Sequence, residues 1–158
     1  MSEYYEVFID NIETSTQDYG FVFNTDTAVN YFLKFSRAAH LFKSECIICS
    51  GIYEFSFFPD KKEIKEDGKI KQTIIEVIKA FIERQSCPII FLCDTTDSRG
   101  RGRLKLFQMW SNAYAHEYNF RFRVFEFDHY SLPIGLIAHK TDMNFDRYIE
   151  EIDALGLG

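Results

Sequence analysis

The stretch from Pro88 to Trp110 constrains the possible folds more than any other part of the chain. It reads PIIFLCDTTDSRGRGRLKLFQMW, an apolar run followed by a polar turn, three arginines and an amphipathic segment. A continuous apolar run of this length is typical of a strand that is buried on both faces. Pro88–Cys93 is therefore predicted to be the central strand of a sheet, and Arg99–Tyr114 is predicted to be a helix that packs on it.

The spacing of the three arginines predicts that they face different environments. At 100° per residue, Arg99 and Arg103 share the apolar stripe of the helix, whereas Arg101 lies on the opposite side with the solvated charges. A guanidinium above an apolar stripe needs an anion, either an aspartate of the turn or a ligand. An internal Arg–Asp network is the more common arrangement. The candidate ligand-binding residues are Asp94, Asp97, Arg99, Arg103 and Trp110.

Length and composition indicate a single domain over residues 1–158 with a large, strand-rich core. The chain has 17 Phe and nine Tyr, many in alternating patterns that favour strands. A net charge of −6 argues against general binding to nucleic acids or anionic membranes. The N-terminal MSEYYEVFID has no signal-peptide pattern, and no apolar run approaches the roughly 20 residues of a membrane span. We expect a cytoplasmic protein.

The four cysteines are expected to be reduced. Cys46 and Cys49 have the spacing of half a zinc site, but no second pair of ligands follows, and the two residues between them are isoleucines. We therefore expect free, buried thiols at Cys46, Cys49, Cys87 and Cys93, and no metal.

The remaining patterns predict an α+β fold with one mostly antiparallel, twisted sheet and two main helices packed on it. Burial of the central strand on both faces suits helices on opposite faces of the sheet. Segment 36–50 contains either a short helix or a further strand. A change of parity in FRFRVFEFD predicts a bulge near Val124–Phe125. The predicted elements are strands near Tyr4–Ile9, Tyr19–Phe23, Val29–Phe35, Tyr53–Phe57, Pro88–Cys93, Phe120–Asp128 and Ser131–Lys140, and helices Ile70–Arg84, Arg99–Tyr114 and Phe145–Ile152.

From Tyr19 onward, this order of elements resembles the core of the GNAT-type acetyltransferases, in which one long helix follows the fourth strand and another follows the fifth. The resemblance implies acetyl-CoA as the cofactor, with its phosphates at the N-terminus of the first of these helices. The family's glycine-rich loop is absent, because residues 65–71 read KEDGKIK. A fold-level likeness does not establish an activity.

A second resemblance covers the central half of the chain. Cys93-Asp94-x-x-Asp97-x-Arg99, followed by Arg103, Leu106-Phe107 and Trp110, is similar to the signature of a family of small bacterial proteins of unknown function. The preceding Ile70–Ile75 segment also resembles that family. The resemblance implies no activity.

Three functions are compatible with these residues. The first is a ligand- or partner-binding, regulatory module in which Arg99 and Arg103 hold a small anion. The second is an acyl-CoA-dependent N-acyltransferase or a degenerate relative, with Asp94 and Tyr114 available for proton transfer. The third, metal-assisted phosphoryl chemistry at Asp94 and Asp97, has too few acids to be favoured. A binding module, with a small anion or a protein as its partner, is placed ahead of catalysis.

Overall fold

Seven strands and three α-helices make up the regular structure in the described part of the chain. The computed structural model describes residues 4–9, 18–42, 46–61, 68–92, 100–126 and 131–155, with only the backbone described at 100–103, 126, 131 and 155. None of its helices is long and apolar enough to cross a membrane. The elements are β1 (Val7–Ile9), β2 (Tyr19–Asn24), β3 (Asn30–Arg37), β4 (Tyr53–Pro59), α1 (Gly68–Gln85), β5 (Ile89–Leu92), α2 (Gly100–Tyr114), β6 (Tyr118–Glu126), β7 (Ser131–His139) and α3 (Phe145–Leu155).

The strands form one mixed sheet with the order β1-β2-β3-β4-β5-β7-β6. β4 and β5 pair in parallel, while the other neighbouring strands pair antiparallel. The expectation of a mostly antiparallel sheet is therefore corrected. The reason is α1, which carries the chain from the end of β4 back to the start of β5, so that both strands run in the same direction.

The central strand is buried on both faces, as predicted, but the helices are arranged differently from the prediction. Ile89 and Phe91 of β5 belong to one apolar cluster, and Ile90 belongs to another. Helices α1 and α2 both contribute to the first cluster and so lie on the same face. The opposite face of β5 and β7 is covered by α3, the shortest of the three helices.

An aromatic side chain of α1 fixes that helix on the sheet. The ring of Phe81 stacks on Phe35 at a centroid separation of 3.9 Å and meets Tyr19 and Tyr53 edge to face at 5.3 and 5.1 Å. One helical residue thereby contacts three successive strands, β2, β3 and β4. Such pairs add about 0.5–1.5 kcal/mol each beyond burial of their area.

The described residues cover the other face of the sheet only in part. A row of four apolar side chains crosses β1 to β4 at paired positions on the face opposite α1: Phe8, Val22, Phe32 and Phe58. Phe8 is 48% exposed and Phe58 is 36% exposed. Phe32 and Phe58 stack on each other at 5.4 Å. None of the four belongs to either buried cluster of the described residues.

The connection between β3 and β4 contains two short 3-10 helices, Ala39–Leu41 and Ile48–Gly51. Cys46 and Cys49 form a disulfide at the start of the second one, which contradicts the expectation of reduced thiols at both. Two cysteines separated by two residues are brought together because the chain turns there instead of continuing as a strand. Cys87 is free and buried, as predicted, and Cys93 lies outside the described residues.

The predicted bulge in β6 is wrong over the described part of that strand. β6 pairs with β7 without interruption from Tyr118 to Glu126. Phe120 and Phe122 contact Phe107 of α2, whereas Phe125 packs against the cluster that contains α3. Both parities of β6 are apolar because a helix lies on each face, so no change of face is needed.

Cys87, Asp142 and Tyr148 form a small polar cluster next to the start of β5. The hydroxyl of Tyr148 donates a hydrogen bond to Asp142 at 3.3 Å. Burial, together with the negative charge of Asp142, raises the pKa of the Cys87 thiol and that of the Tyr148 hydroxyl to about 12 each. Both groups are therefore neutral in the folded protein well above neutral pH.

We predict that Gly135→Ala destabilises the protein. An added Cβ on Gly135 would lie 2.5 Å from Cε2 of Phe107, whose ring is itself buried against Phe91 and Phe120. The expected loss is about 1–3 kcal/mol in the free energy of unfolding, measured by urea denaturation. Gly51→Ala is the matched control, because its added Cβ meets nothing within 4 Å. Equal effects of the two substitutions would contradict the packing described for Phe107.

We also predict that stability decreases at alkaline pH. The pKa values of Cys87 and Tyr148 are raised by folding, from 9.0 and 10.0 to about 12, so the unfolded chain loses these protons first as the pH rises. The free energy of unfolding should be constant with respect to these groups below about pH 9 and fall between about pH 9 and pH 12. Denaturation of Cys87→Ala and Tyr148→Phe across this range should show a shallower fall than wild type. An unchanged slope in both variants would refute the assignment.

Candidate functional site

Two strands end and two helices begin at one edge of the sheet. Because β4 and β5 are parallel, Pro59 and Leu92 lie at the same edge, and the helices that follow them start at Gly68 and Gly100. We call this edge the carboxyl edge. In sheets with parallel strands, ligands commonly bind outside the carboxyl ends of the strands, where helix N-termini present free N–H groups.

The pairing between β4 and β5 covers only part of β4. The two strands pair from Tyr53 with Ile89 to Phe55 with Phe91. β4 then continues for four residues, to Pro59, and remains paired with β3 on its other side. Among the described residues, the side of β4 that faces β5 thus has no strand partner near the carboxyl edge.

The first turns of both helices at the carboxyl edge are basic. Neither α1 nor α2 has an acid in its first turn. Instead, Lys69 and Lys71 lie near the start of α1, and Arg101 and Arg103 lie near the start of α2. Helix N-termini carry a partial positive charge and normally favour acidic residues. Both helices therefore begin with basic residues where acidic ones are usual.

Two neighbouring polar groups hold the surrounding chain in place. Asp60 accepts hydrogen bonds from the backbone N–H of Asn30 at 3.0 Å and from its side-chain amide at 2.9 Å, which closes the ends of β3 and β4. The backbone N–H of Tyr5 donates to Thr73 Oγ1 at 2.8 Å, and Lys69 Nζ lies 4.4 Å from the centre of the Tyr5 ring. The contacts of Tyr5 fix the segment before β1 against the first turns of α1.

The structure locates two of the five predicted ligand-binding residues. Asp94, Asp97 and Arg99 lie outside the described residues. Arg103 is in the first turns of α2, where the backbone alone is described. Trp110 is completely buried and meets Tyr118 and Phe120 edge to face, so its indole ring packs α2 on β6.

The indole N–H of Trp110 has no hydrogen-bond acceptor within the described ranges. A buried donor without a partner costs about 1–3 kcal/mol. The packing of this side chain against two aromatic rings offsets that cost. The predicted role of Trp110 in ligand binding is not tested by this geometry.

Tyr114, predicted as a proton-transfer residue for an acyltransferase, lies at the far end of α2. At 1.5 Å per residue, it is about 21 Å along the helix from Gly100. Its hydroxyl accepts a hydrogen bond from Gln72 Nε2 at 3.3 Å, and Lys79 Nζ lies 4.6 Å from its ring centre. Tyr114 therefore joins the C-terminal end of α2 to α1, through Gln72 in the second turn of α1 and Lys79 two turns later.

A second group of reactive side chains was not predicted from the sequence. The sulfurs of Cys46 and Cys49 and a carboxylate oxygen of Glu151 all lie within 4.8 Å of one another. Such atoms could ligate a metal, but the two sulfurs are bonded to each other here. The spacing of the cysteines was the available signal, whereas nothing in the sequence pairs Glu151, about 100 residues later, with them.

Comparison with known proteins identifies a family. The sequence model of a family of unknown function (DUF6169) matches residues 66–153, more than half of the chain. The matched region includes α1, β5, α2, β6 and β7 and reaches into α3. No curated protein and no solved structure matches the chain. The expected resemblance to a family of unknown function is therefore confirmed, and the chain belongs to the family DUF6169.

Proposed function

We propose that the protein is a binding or regulatory module that holds a small anionic ligand at the carboxyl edge. The observation that carries this proposal is the pair of basic helix starts where β4 and β5 end. Each helix contributes the positive end of its dipole. The ligand would be phosphate-like or carboxylate-like, because both groups accept several N–H bonds at once.

Arg99 and Arg103 are the proposed charged contacts, with Asp94, Asp97 and Trp110 as further candidates. Helical spacing places Arg103 on the stripe that carries the buried residues Leu106 and Phe107. Arg103 would then share that stripe with Arg99, as the sequence predicts. The competing arrangement is an internal ion pair between Arg103 and Asp94 or Asp97, and it makes a different prediction for stability.

A second candidate is an acyl-CoA-dependent N-acyltransferase of the GNAT type, or a degenerate relative, with acetyl-CoA as its cofactor. The observation that favours it is the order of elements, since a long helix follows β4 and another follows β5. In this proposal the phosphates of acetyl-CoA bind at the start of α1. The missing glycine-rich loop counts against catalysis, which places this candidate second.

The two candidates predict different ligands. A small-anion module should show a higher melting temperature with inorganic phosphate or pyrophosphate than with chloride at equal ionic strength. Saturation at 100 times Kd corresponds to about 2.7 kcal/mol of added stability. Stabilisation by acetyl-CoA and by neither phosphate compound would favour the acyltransferase. No stabilisation by any of the three would refute both proposals.

Substitution of Arg103 separates ligand binding from an internal ion pair. In the ligand-binding case, Arg103→Ala has little effect on the free energy of unfolding without ligand, and the phosphate-induced rise in melting temperature disappears. In the ion-pair case, the substitution leaves a buried carboxylate unpaired and costs about 3–5 kcal/mol. Urea denaturation and thermal melting with and without phosphate measure both quantities.

Arg101→Ala is the matched control, two residues away on the opposite side of the helix. It should change stability by no more than about 0.5 kcal/mol and should keep the response to phosphate. If both substitutions have equal, small effects on stability and both variants keep the response to phosphate, the stripe that carries Arg99 and Arg103 does not form part of the site.

A further inference from the structure

The position of the disulfide between Cys46 and Cys49 in the chain argues against a purely structural role. It joins residues only three apart, so the loop that it closes is very short and constrains little of the unfolded chain. The surrounding turn is already held by backbone hydrogen bonds, from Ser50 N to Ile47 O and from Ile52 N to Cys49 O. The cross-link therefore adds less to stability than a disulfide that closes a long loop.

The two sulfurs have unequal surroundings. Cys49 is only 1% exposed and belongs to the apolar cluster under α3, whereas Cys46 is partly exposed. An incoming thiolate can thus reach the sulfur of Cys46, while Cys49 is the buried leaving group. This inequality assigns different roles to the two cysteines in thiol–disulfide exchange.

A carboxylate is placed beside the pair. An oxygen of Glu151 lies within 4.8 Å of both sulfurs, a separation that one water molecule can span. α3 is held in position by the buried residues Ile149 and Ile152 and by an ion pair between Asp153 and Arg123 at 2.8 Å. Glu151 is therefore presented to the disulfide by a fixed element.

An exposed apolar side chain lies between the cysteines. Ile47 is 87% exposed, although its neighbours Cys46 and Ile48 pack against the cluster that contains α3. An isoleucine side chain in water is unfavourable, and Ile47 follows the partly exposed Cys46 directly in the chain. It offers an apolar contact to a thiol-bearing compound that approaches Cys46.

We infer that Cys46, Cys49 and Glu151 form a dithiol–disulfide exchange site whose substrates are thiols and disulfides. A substrate thiolate attacks the sulfur of Cys46, and the bond between Cys46 and Cys49 breaks. The leaving thiolate of Cys49 takes up a proton from a water molecule, which the carboxylate of Glu151 positions beside the sulfur. A second substrate thiolate then attacks the mixed disulfide, which releases the substrate disulfide and the thiolate of Cys46.

The exchange is balanced in electrons. Two substrate thiols lose two electrons and become one disulfide, and the protein disulfide gains those electrons and becomes two thiols. The reverse reaction reduces a substrate disulfide. No oxidant or reductant other than the thiol–disulfide substrate is needed.

The test uses the full-length protein equilibrated with reduced and oxidised glutathione, quenched by alkylation and analysed by peptide mass spectrometry. The ratio of dithiol to disulfide at Cys46 and Cys49 should follow the glutathione ratio reversibly under native conditions. Cys87, which is buried, is the internal control and should remain unmodified. Reduction that requires unfolding of the protein would overturn the inference.

Single substitutions test the assigned roles. Cys49→Ser should accumulate a glutathione adduct at Cys46, whereas Cys46→Ser should form an adduct at Cys49 roughly ten-fold more slowly. Equal adduct formation would contradict the assignment.

Glu151→Gln should slow exchange roughly ten-fold while the fold, followed by circular dichroism, is unchanged. Glu150→Gln, one residue away and exposed, is the control and should exchange like wild type. Equal rates in the two glutamine variants would remove Glu151 from the mechanism.

Two further measurements identify the substrate source and exclude a metal site. A cysteine peptide with apolar neighbours should exchange faster than glutathione if the substrate is a protein cysteine, and Ile47→Ser should abolish that difference. Equal rates for both compounds would indicate a small thiol as the substrate. Stoichiometric zinc in the reduced protein, together with no exchange, would show that the three residues are a metal site and would overturn the inference.

Discussion

The parallel pairing of β4 and β5 is the constraint on which the rest of the structure depends. It requires a crossover, and the 18-residue helix α1 provides one. A crossover of this kind must lie against a face of the sheet, which places the ring of Phe81 among three strands. The same pairing puts the carboxyl ends of both strands, and the helices that follow them, at one edge. The proposed anion site is therefore a consequence of the strand directions.

The unequal coverage of the sheet explains why the core has two parts. α1 and α2 share one face, and their aromatic and aliphatic side chains join the larger cluster. α3 and the connection before β4 cover the other face over β5 and β7 and the adjacent part of the chain. The disulfide lies in this second layer, on the opposite side of the sheet from α1. The two proposed sites are thus supported by different layers.

Local patterns predicted most of the elements, because each pattern depends on the neighbours of a residue along the chain. The alternation in Tyr19–Phe23 gave β2, the spacing from Ile70 gave α1, and the apolar run after Pro88 gave β5. The patterns could not predict which element packs against each face of a strand. The apolar residues of both parities in β6 indicated a bulge, whereas the actual cause is a helix on each side.

The candidate sites show the same limit. The arginine spacing could be recognised because it is periodic along one helix. That helix begins at the carboxyl edge, close to its predicted start. Cys46 and Cys49 were interpreted as core thiols because the isoleucines between them are apolar, yet Ile47 is exposed. The approach of Glu151 depends on how α3 docks, which is a long-range contact that no local pattern encodes.

The row of Phe8, Val22, Phe32 and Phe58, which belongs to neither buried cluster of the described residues, has a consequence for how the molecule opens. β5 and β7 are enclosed between helices, so their backbone amides are released only when two layers separate. In the part of the chain that the structure describes, β1 and β2 have a helical layer on one face alone, and β1 is a three-residue strand at the edge of the sheet. Local opening should therefore begin at β1 and progress inward strand by strand, with amide exchange slowest in β5. Protection of the backbone amides from exchange would then increase across the sheet, from β1 at its margin to β5 at its centre.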